Sequence, residues 1–172
     1  MIIVIQCAAS KQPGAGHLVS ASGKPVVFVA HPEIAPADGR YMYARPDDRS
    51  ENKKPWRQVL EEYNTHPEDN PLRLYRAYRL YENSIYGRLV DRFGIQQVYI
   101  LSAGWGLIRA DFLTPYYDIT FSRIAEPYKR RKKADRYQDF RRLPDQTVEE
   151  IVFFWGERLS ADVRLVNKCY SN

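Results

Sequence analysis

Two short stretches of this sequence combine chemically active side chains with small residues that let a backbone turn sharply. The first is residues 7–11 (CAASK), in which Ser10 offers a hydroxyl group and Lys11 a cation or a phosphate contact. The second is residues 102–106 (SAGWG), where two glycines permit backbone conformations that other residues resist. Hydroxyl groups, a cation and an aromatic ring together are suited to holding a polar ligand.

Two carboxylates follow the second stretch. Asp111 follows Arg109 and Ala110, and Asp118 directly follows the pair Tyr116 and Tyr117. Either carboxylate is a candidate for stabilising positive charge or for activating water. The alternative is structural: Asp111 caps a helix and Asp118 lies in a turn, and each accepts hydrogen bonds from nearby amides.

Each of the two stretches follows a predicted buried strand. Residues 2–6 (IIVIQ) and 98–101 (VYIL) are short apolar runs rich in β-forming residues. Open α/β sheets bind ligands where their parallel strands end. If these strands are neighbours, Ser10, Lys11, Ser102 and Trp105 converge at one edge of the sheet.

The rest of the pattern favours one α/β domain over residues 1–172, with a mainly parallel central sheet flanked by helices. We expect a strand at 25–30 and an irregular loop at 31–54 whose Tyr41 and Tyr43 fold over the crevice. The further predicted elements are a helix from Pro55 to 63, a longer helix over 72–93 ending at Gly94, a helix from Thr147 to Trp155 and a strand at 162–166.

The positive charge of the chain is concentrated in residues 128–142. Of the net +5, this segment contributes +6, and the remainder of the chain contributes −1. Such a concentrated patch is typical of proteins that bind phosphate backbones. The alternative is a solvated helix face or an exposed flexible insertion. The candidate phosphate contacts are Lys129, Arg130, Arg131, Lys132, Lys133 and Arg136.

Composition and spacing exclude several classes of protein. No apolar run approaches the roughly 20 residues that span a bilayer, and the opening apolar run is too short for a signal peptide. Two cysteines, Cys7 and Cys169, do not form a disulfide framework, which favours a reducing cytoplasm. The cysteines and the three histidines show no metal-ligand spacing, so we expect no metal and no cofactor.

Three motifs together resemble the YaaA peroxide-stress superfamily and the related domain of archaeosine synthase. They are Cys7-x-x-Ser10-Lys11, residues 101–108 (LSAGWGLI) and Pro115-x-Tyr117-Asp118. The resemblance covers about a fifth of the chain and implies a uracil-DNA-glycosylase-like α/β domain associated with nucleic acids or modified bases. The sequence departs from the family pattern at Gly104-Trp105, where a lysine- or histidine-aromatic pair is common.

This resemblance implies a nucleic-acid base N-glycosylase that excises a modified base from DNA, in antiviral defence or repair. Such a site needs a carboxylate, hydrogen-bond donors for the departing base and an aromatic ring that stacks on it. The candidate catalytic residues are Asp118 and Asp111. The candidate substrate-binding residues are Cys7, Ser10, Lys11, Ser102, Gly104, Trp105, Gly106, Tyr116 and Tyr117.

Several alternatives stay open at this point. Trp105 is either a stacking platform or a core plug, and Cys7 is more typical of a small core residue than of a nucleophile. The whole chain is alternatively a non-catalytic DNA-binding protein of the stress response. A nucleoside or nucleotide hydrolase or transferase is the third possibility.

Overall fold

A five-stranded sheet runs through the centre of the computed structural model, which describes residues 1–37, 39–143 and 148–154. Its strands are β1 (Ile2–Gln6), β5 (Val98–Ser102), β6 (Gly106–Arg109), β8 (Phe140–Arg141) and β9 (Ile151–Phe154). The order across the sheet is β8-β6-β5-β1-β9. The β5–β6 pair is antiparallel and the other three pairs are parallel. The protein is therefore an α/β fold with a mainly parallel central sheet, as the sequence predicts.

β1 is buried on both of its faces, which explains its continuous apolar sequence. Ile3 and Ile5 belong to the main hydrophobic core, whereas Ile2 and Val4 pack in a second cluster on the other face. β1 runs parallel to β5, so that Gln6 lies beside the end of that strand. The two buried strands are therefore neighbours, which is the condition under which the sequence predicts that the residues following them converge.

Smaller elements surround the central sheet. The remaining strands are β2 (Val26–Phe28), β3 (Met42–Ala44), β4 (Tyr75–Arg76) and β7 (Leu113–Thr114), and the α-helices are α1 (Trp56–Tyr63), α2 (Ala77–Leu80) and α3 (Ile85–Phe93). β2 pairs with β3 in parallel and β4 pairs with β7 in antiparallel fashion. The strand predicted at 25–30 is thus present in shortened form. The prediction of wholly irregular structure at 31–54 is wrong, because β3 lies within it.

The single long helix predicted over 72–93 is wrong, since the chain there forms β4, α2 and α3 in succession. The helical path stops at Tyr81, which takes an extended conformation with φ −96° and ψ 141°. Tyr81 forms a β-bridge with Lys11, so a tertiary contact overrides the helical spacing. The predicted C-terminal cap is confirmed, because Gly94 has φ +86° and its N–H donates to Val90 O at 2.8 Å.

The helix predicted from Thr147 to Trp155 is also wrong. Ile151–Phe154 is β9, a strand parallel to β1, and its burial alternates along the strand. β9 satisfies the backbone groups along that side of β1. Thr147, Trp155, the strand predicted at 162–166 and Cys169 lie outside the described residues. Within the described ranges, no helix has the length and apolar character needed to cross a membrane.

Candidate active site

The ends of β1 and β5 bring the two predicted stretches together at one edge of the sheet. The Cys7 N–H donates to Leu101 O at 3.0 Å, and the Ala103 N–H donates to Cys7 Sγ at 3.2 Å. Lys11 is only 7% exposed. Its Nζ donates to Ala9 O at 3.1 Å and lies 4.3 Å from the centroid of the Tyr117 ring. Ser10, by contrast, is exposed.

A chain of buried hydroxyl groups continues inward from Lys11. The Tyr81 and Tyr117 hydroxyl oxygens lie 2.8 Å apart, and Ser102 Oγ donates to Tyr117 Oη at 2.9 Å. Ser102 and Tyr117 are both fully buried. We call Cys7, Lys11, Tyr81, Ser102 and Tyr117 the edge cluster. Ser102 and Tyr117 support this cluster from within and present no surface to a ligand, contrary to the expectation that both contact substrate.

Burial sets the protonation of the edge cluster. Burial lowers the pKa of Lys11, although attraction to Cys7 and Asp118 opposes the effect. Burial raises the pKa of the Cys7 thiol, and the nearby Lys11 cation opposes that shift. Cys7 is therefore held as a neutral thiol, which agrees with its interpretation as a small core residue rather than a nucleophile. The pKa of Tyr117 is raised by the same burial.

Asp118 lies beside the edge cluster and reaches solvent. Its side chain is 24% exposed, and Oδ2 lies 2.9 Å from Lys129 Nζ. Its backbone N–H donates to Phe28 O at 2.7 Å, which fixes the carboxylate against β2. The ion pair with Asp118 therefore places Lys129, a lysine of the basic segment, near the edge where β1 and β5 end.

Asp111 lies at the other end of the sheet. β6 runs antiparallel to β5, and the Ala110 N–H donates to Val98 O at 2.8 Å. The length of β5 thus places Asp111 about 13 Å away from the edge cluster. Arg109 binds both carboxylate oxygens of Asp111, at 2.7 and 2.8 Å, in a pocket of about 470 Å³. Asp111, one of the two candidate catalytic carboxylates, therefore lies apart from Lys11, and it is in a turn rather than a helix cap.

Two arginines hold the carbonyl groups of residues 103–105. Arg57 is 5% exposed and donates to Trp105 O at 2.9 Å and to Gly104 O at 3.1 Å. Its Nε also donates to Asp47 Oδ1 at 2.6 Å. Arg131 donates to Ala103 O at 3.0 Å. Sequence reasoning missed Arg57, although a charged residue between Trp56 and Leu60 on the apolar face of a helix is a signal for a buried ion pair.

The amides of the same loop are also occupied. The N–H groups of Gly104 and Trp105 donate to Ser102 Oγ at 3.3 and 3.1 Å. Trp105 is fully buried and packs edge-to-face on Phe28, with ring centroids 4.9 Å apart. Trp105 is therefore a core plug, and the alternative of a stacking platform is wrong.

The two glycines of this loop are needed for packing. Gly106 has φ +87°, and a Cβ there would meet Asp139 Cβ at 2.5 Å. A Cβ on Gly104 would meet the Tyr117 ring at 3.1 Å. The close approach of neighbouring groups thus explains why both positions are glycine. Gly104 and Gly106 are also buried, so they have no free surface for the expected contact with a ligand.

Five partly exposed aromatic rings form an arc of successive ring contacts, and its two end rings interact electrostatically with Asp118 and Lys129. The members of this aromatic arc, in order, are Tyr116, His17, Tyr41, Tyr43 and Tyr128. Successive ring centroids are 5.4 to 6.4 Å apart. Partial burial, and then the Asp118 charge, raise the pKa of Tyr116. The sequence indicated Tyr41, Tyr43 and Tyr116 as candidates, whereas His17 and Tyr128 were missed.

The basic segment divides into structural and exposed cations. Lys129 pairs with Asp118, Arg131 binds both oxygens of Asp139 at 2.9 and 2.6 Å, and Arg130 donates to Arg123 O at 3.2 Å. The exposed cations are Lys132, Lys133 and Arg136. The described segment is mostly irregular, so its interpretation as a solvated helix face is wrong.

A second, open pocket of about 970 Å³ borders the edge cluster on the side of α2 and α3. Tyr81 and Gln12 line it where it meets the cluster, and Arg76, Arg79 and Arg88 line it farther out. Lys11 and Asp118 lie outside both pockets. In the described part of the chain, no group of three or more His, Cys, Asp or Glu side chains is placed to hold a metal ion.

Comparisons of this chain with protein-family models, with curated proteins and with solved structures find no match. The chemistry of the site therefore rests on its own geometry: a half-buried carboxylate, a buried lysine, a second lysine and an arc of aromatic rings.

Proposed function

We propose that this protein is a nucleic-acid base N-glycosylase that excises a modified base from DNA, with Asp118 as its catalytic carboxylate. The observation that carries the proposal is the position of Asp118, which is partly exposed at the carboxyl edge of the sheet and acts electrostatically on Tyr116 and Tyr128, the two ends of the aromatic arc. The mainly parallel sheet with polar side chains at this edge is also compatible with a uracil-DNA-glycosylase-like domain.

The proposed chemistry uses groups on both sides of the glycosidic bond. When that bond breaks, its electron pair leaves with the base and positive charge develops on the sugar. The Asp118 carboxylate stabilises this charge and orients the water that adds to the sugar. Lys129, 2.9 Å from Asp118, is a cation that can donate a hydrogen bond to the departing base.

The aromatic arc supplies the recognition of the base. An enzyme that acts on a base must take it out of the stack, and aromatic side chains replace the lost stacking. Tyr116, on whose hydroxyl group the Asp118 charge acts, and His17, with ring centroids 5.4 Å apart, offer such faces. The exposed Lys132, Lys133 and Arg136 are proposed to hold the flanking phosphates.

The test is base release from defined oligonucleotides. Single- and double-stranded DNA with unmodified or modified bases is incubated with the protein, abasic sites are revealed by alkaline cleavage, and released bases are identified by mass spectrometry. Asp118→Asn is expected to abolish release while DNA binding, measured by fluorescence anisotropy, persists. Asp111→Asn changes a carboxylate at the opposite end of the sheet and separates the two candidates.

Two outcomes contradict the proposal. If no oligonucleotide yields a free base, the protein is not a glycosylase. If Asp111→Asn loses base release while Asp118→Asn retains it, the catalytic carboxylate is wrongly assigned.

A non-catalytic DNA-binding protein is the second candidate, favoured by the exposed cations of the basic segment. In that case the triple substitution of Lys132, Lys133 and Arg136 by serine weakens binding and lowers its salt dependence, by about 0.9 in the log-log slope per lost phosphate contact on duplex DNA. Base release is then absent from wild type as well. Turnover of free nucleosides without salt-sensitive DNA binding would instead indicate a nucleoside hydrolase or transferase.

A further inference from the structure

Lys11 differs from an ordinary surface lysine in its burial and its partners. It is 7% exposed, and its Nζ donates one hydrogen bond, to the neutral carbonyl oxygen of Ala9 at 3.1 Å. The ring face of Tyr117 lies 4.3 Å away. Across the described residues, Lys11 forms no ion pair within 4.0 Å, unlike Lys129 and Lys54.

This environment favours a neutral, nucleophilic amine. A buried ammonium group with a single neutral acceptor is poorly solvated, so burial shifts the group toward its uncharged form. The lowered pKa of Lys11 agrees with this argument from its surroundings. Lysines desolvated in this way serve as nucleophiles that form Schiff bases with carbonyl compounds.

We propose that Lys11 Nζ is a nucleophile that forms a covalent imine with an aldehyde, the ring-opened sugar of an abasic nucleotide. The choice of substrate class rests on the function proposed above, because base release from DNA yields this aldehyde. The reaction itself needs only the amine and the carbonyl group, and it is therefore testable without base release.

The step balances without an oxidant or reductant. The nitrogen lone pair attacks the aldehyde carbon, the carbonyl π electrons move to its oxygen, and one of the two amine protons passes to that oxygen. The resulting carbinolamine then loses its hydroxyl group and the remaining N–H hydrogen as water, and a C=N bond forms. Protonation of the imine creates a cation, which the Tyr117 ring face stabilises from its present position 4.3 Å from Lys11 Nζ.

Asp118 is the carboxylate that can serve Lys11 as a proton relay. Its charge acts on Lys11, and its side chain is 24% exposed. A carboxylate at this position can pass protons to and from the carbinolamine oxygen. Cys7, which the fold holds as a neutral thiol, does not compete as a thiolate nucleophile.

The experiment is reductive trapping on an oligonucleotide that already contains an abasic site. The protein is mixed with this DNA and sodium borohydride, which adds hydride to the imine carbon and leaves a stable secondary amine. We expect a protein–DNA adduct on a denaturing gel, and peptide mass spectrometry of the wild-type adduct should place the modification on Lys11. Lys11→Arg, which keeps the charge, and Lys11→Met, which keeps an apolar chain, should both lose the adduct.

Lys24→Arg is the matched control, because Lys24 is an exposed lysine without the burial of Lys11, and it should trap as wild type does. The proposal is overturned if wild type gives no adduct, or if the adduct maps to a different amine. The mapping uses wild-type protein, so a variant that fails to fold does not obscure the answer. Failed trapping with intact base release refutes the imine alone, whereas trapping without any base release refutes the glycosylase proposal and leaves Lys11 as an aldehyde-binding amine.

Discussion

Arg57→Met should remove the hydrogen bonds that hold the loop at residues 103–105, which we call the clamp, and should destabilise the protein strongly. Arg57 is 5% exposed and serves three acceptors, namely Asp47 Oδ1 and the carbonyl oxygens of Gly104 and Trp105. Removing one partner of a buried ion pair costs about 3–5 kcal/mol. Methionine retains much of the apolar volume of the arginine stem, so the cavity contribution is small.

The partners of Arg57 narrow the range expected for the loss of stability. Asp47 is 22% exposed and also accepts the Gln138 N–H at 2.8 Å, so part of its charge remains solvated and hydrogen-bonded. Trp105 O still accepts the Phe140 N–H at 2.9 Å, and the main loss falls on Gly104 O. One orphaned carbonyl adds about 1 kcal/mol. We therefore expect a decrease of about 3–4 kcal/mol in the free energy of unfolding, a large part of the stability of an ordinary domain.

The measurement is urea unfolding followed by tryptophan fluorescence, compared at unchanged m-value. Arg142→Met is the matched control, because Arg142 is 37% exposed and pairs with the exposed Glu61, so its loss should cost at most about 1 kcal/mol. Arg57→Lys restores the charge without reaching all three acceptors and should fall between the two. If Arg57→Met destabilises the protein no more than Arg142→Met does, the clamp is not a source of stability.

Two further predictions concern a pair of glycines and the buried lysine. Gly106→Ala should cost about 3 kcal/mol or more by urea unfolding, because φ is +87° and the new Cβ would lie 2.5 Å from Asp139 Cβ. Gly87→Ala in α3, whose Cβ would meet nothing within 4 Å, should instead raise the free energy of unfolding by about 0.5–1 kcal/mol. Equal changes in the two alanine variants would refute the packing argument. Lys11→Met should raise the thermal midpoint, because the lowered pKa means that the folded state binds the proton less readily than the unfolded chain does. The gain should be largest on the acid side and should fade as pH rises toward the ordinary lysine value of 10.5, whereas a pH-independent gain would contradict the assignment.

The central strands were predictable because burial on both faces of a parallel sheet demands a continuous apolar run. β1 and β5 carry such runs, and the loops after them meet because parallel neighbours end at the same edge. The stretch 72–93 was not predictable in the same way. Its apolar spacing fits a helix, yet the β-bridge between Tyr81 and Lys11 and the pairing of β4 with β7 interrupt it, and both contacts join residues far apart in sequence.

The candidate site shows the same division between local pattern and tertiary contact. The convergence of Lys11 with the residues after β5 followed from strand order, but the separation of Asp111 from Asp118 depends on the antiparallel direction of β6. Composition alone does not reveal that direction. Arg57 and the aromatic arc were missed for a related reason, because each is assembled from segments that meet only in the folded chain.

The clamped loop explains why the reactive groups of this site must come from elsewhere. The carbonyl groups of residues 103–105 are bound by Arg57 and Arg131, and the amides by Cys7 and Ser102, so the loop has no backbone group left to offer a ligand. What the loop does instead is fix Ser102, whose hydroxyl donates to Tyr117. Tyr117 in turn presents its ring to Lys11 Nζ at 4.3 Å. The buried arginine and the reactive lysine are thus joined by a continuous set of hydrogen bonds and ring contacts, through which a rigid strand end places a desolvated amine beside a solvent-accessible carboxylate.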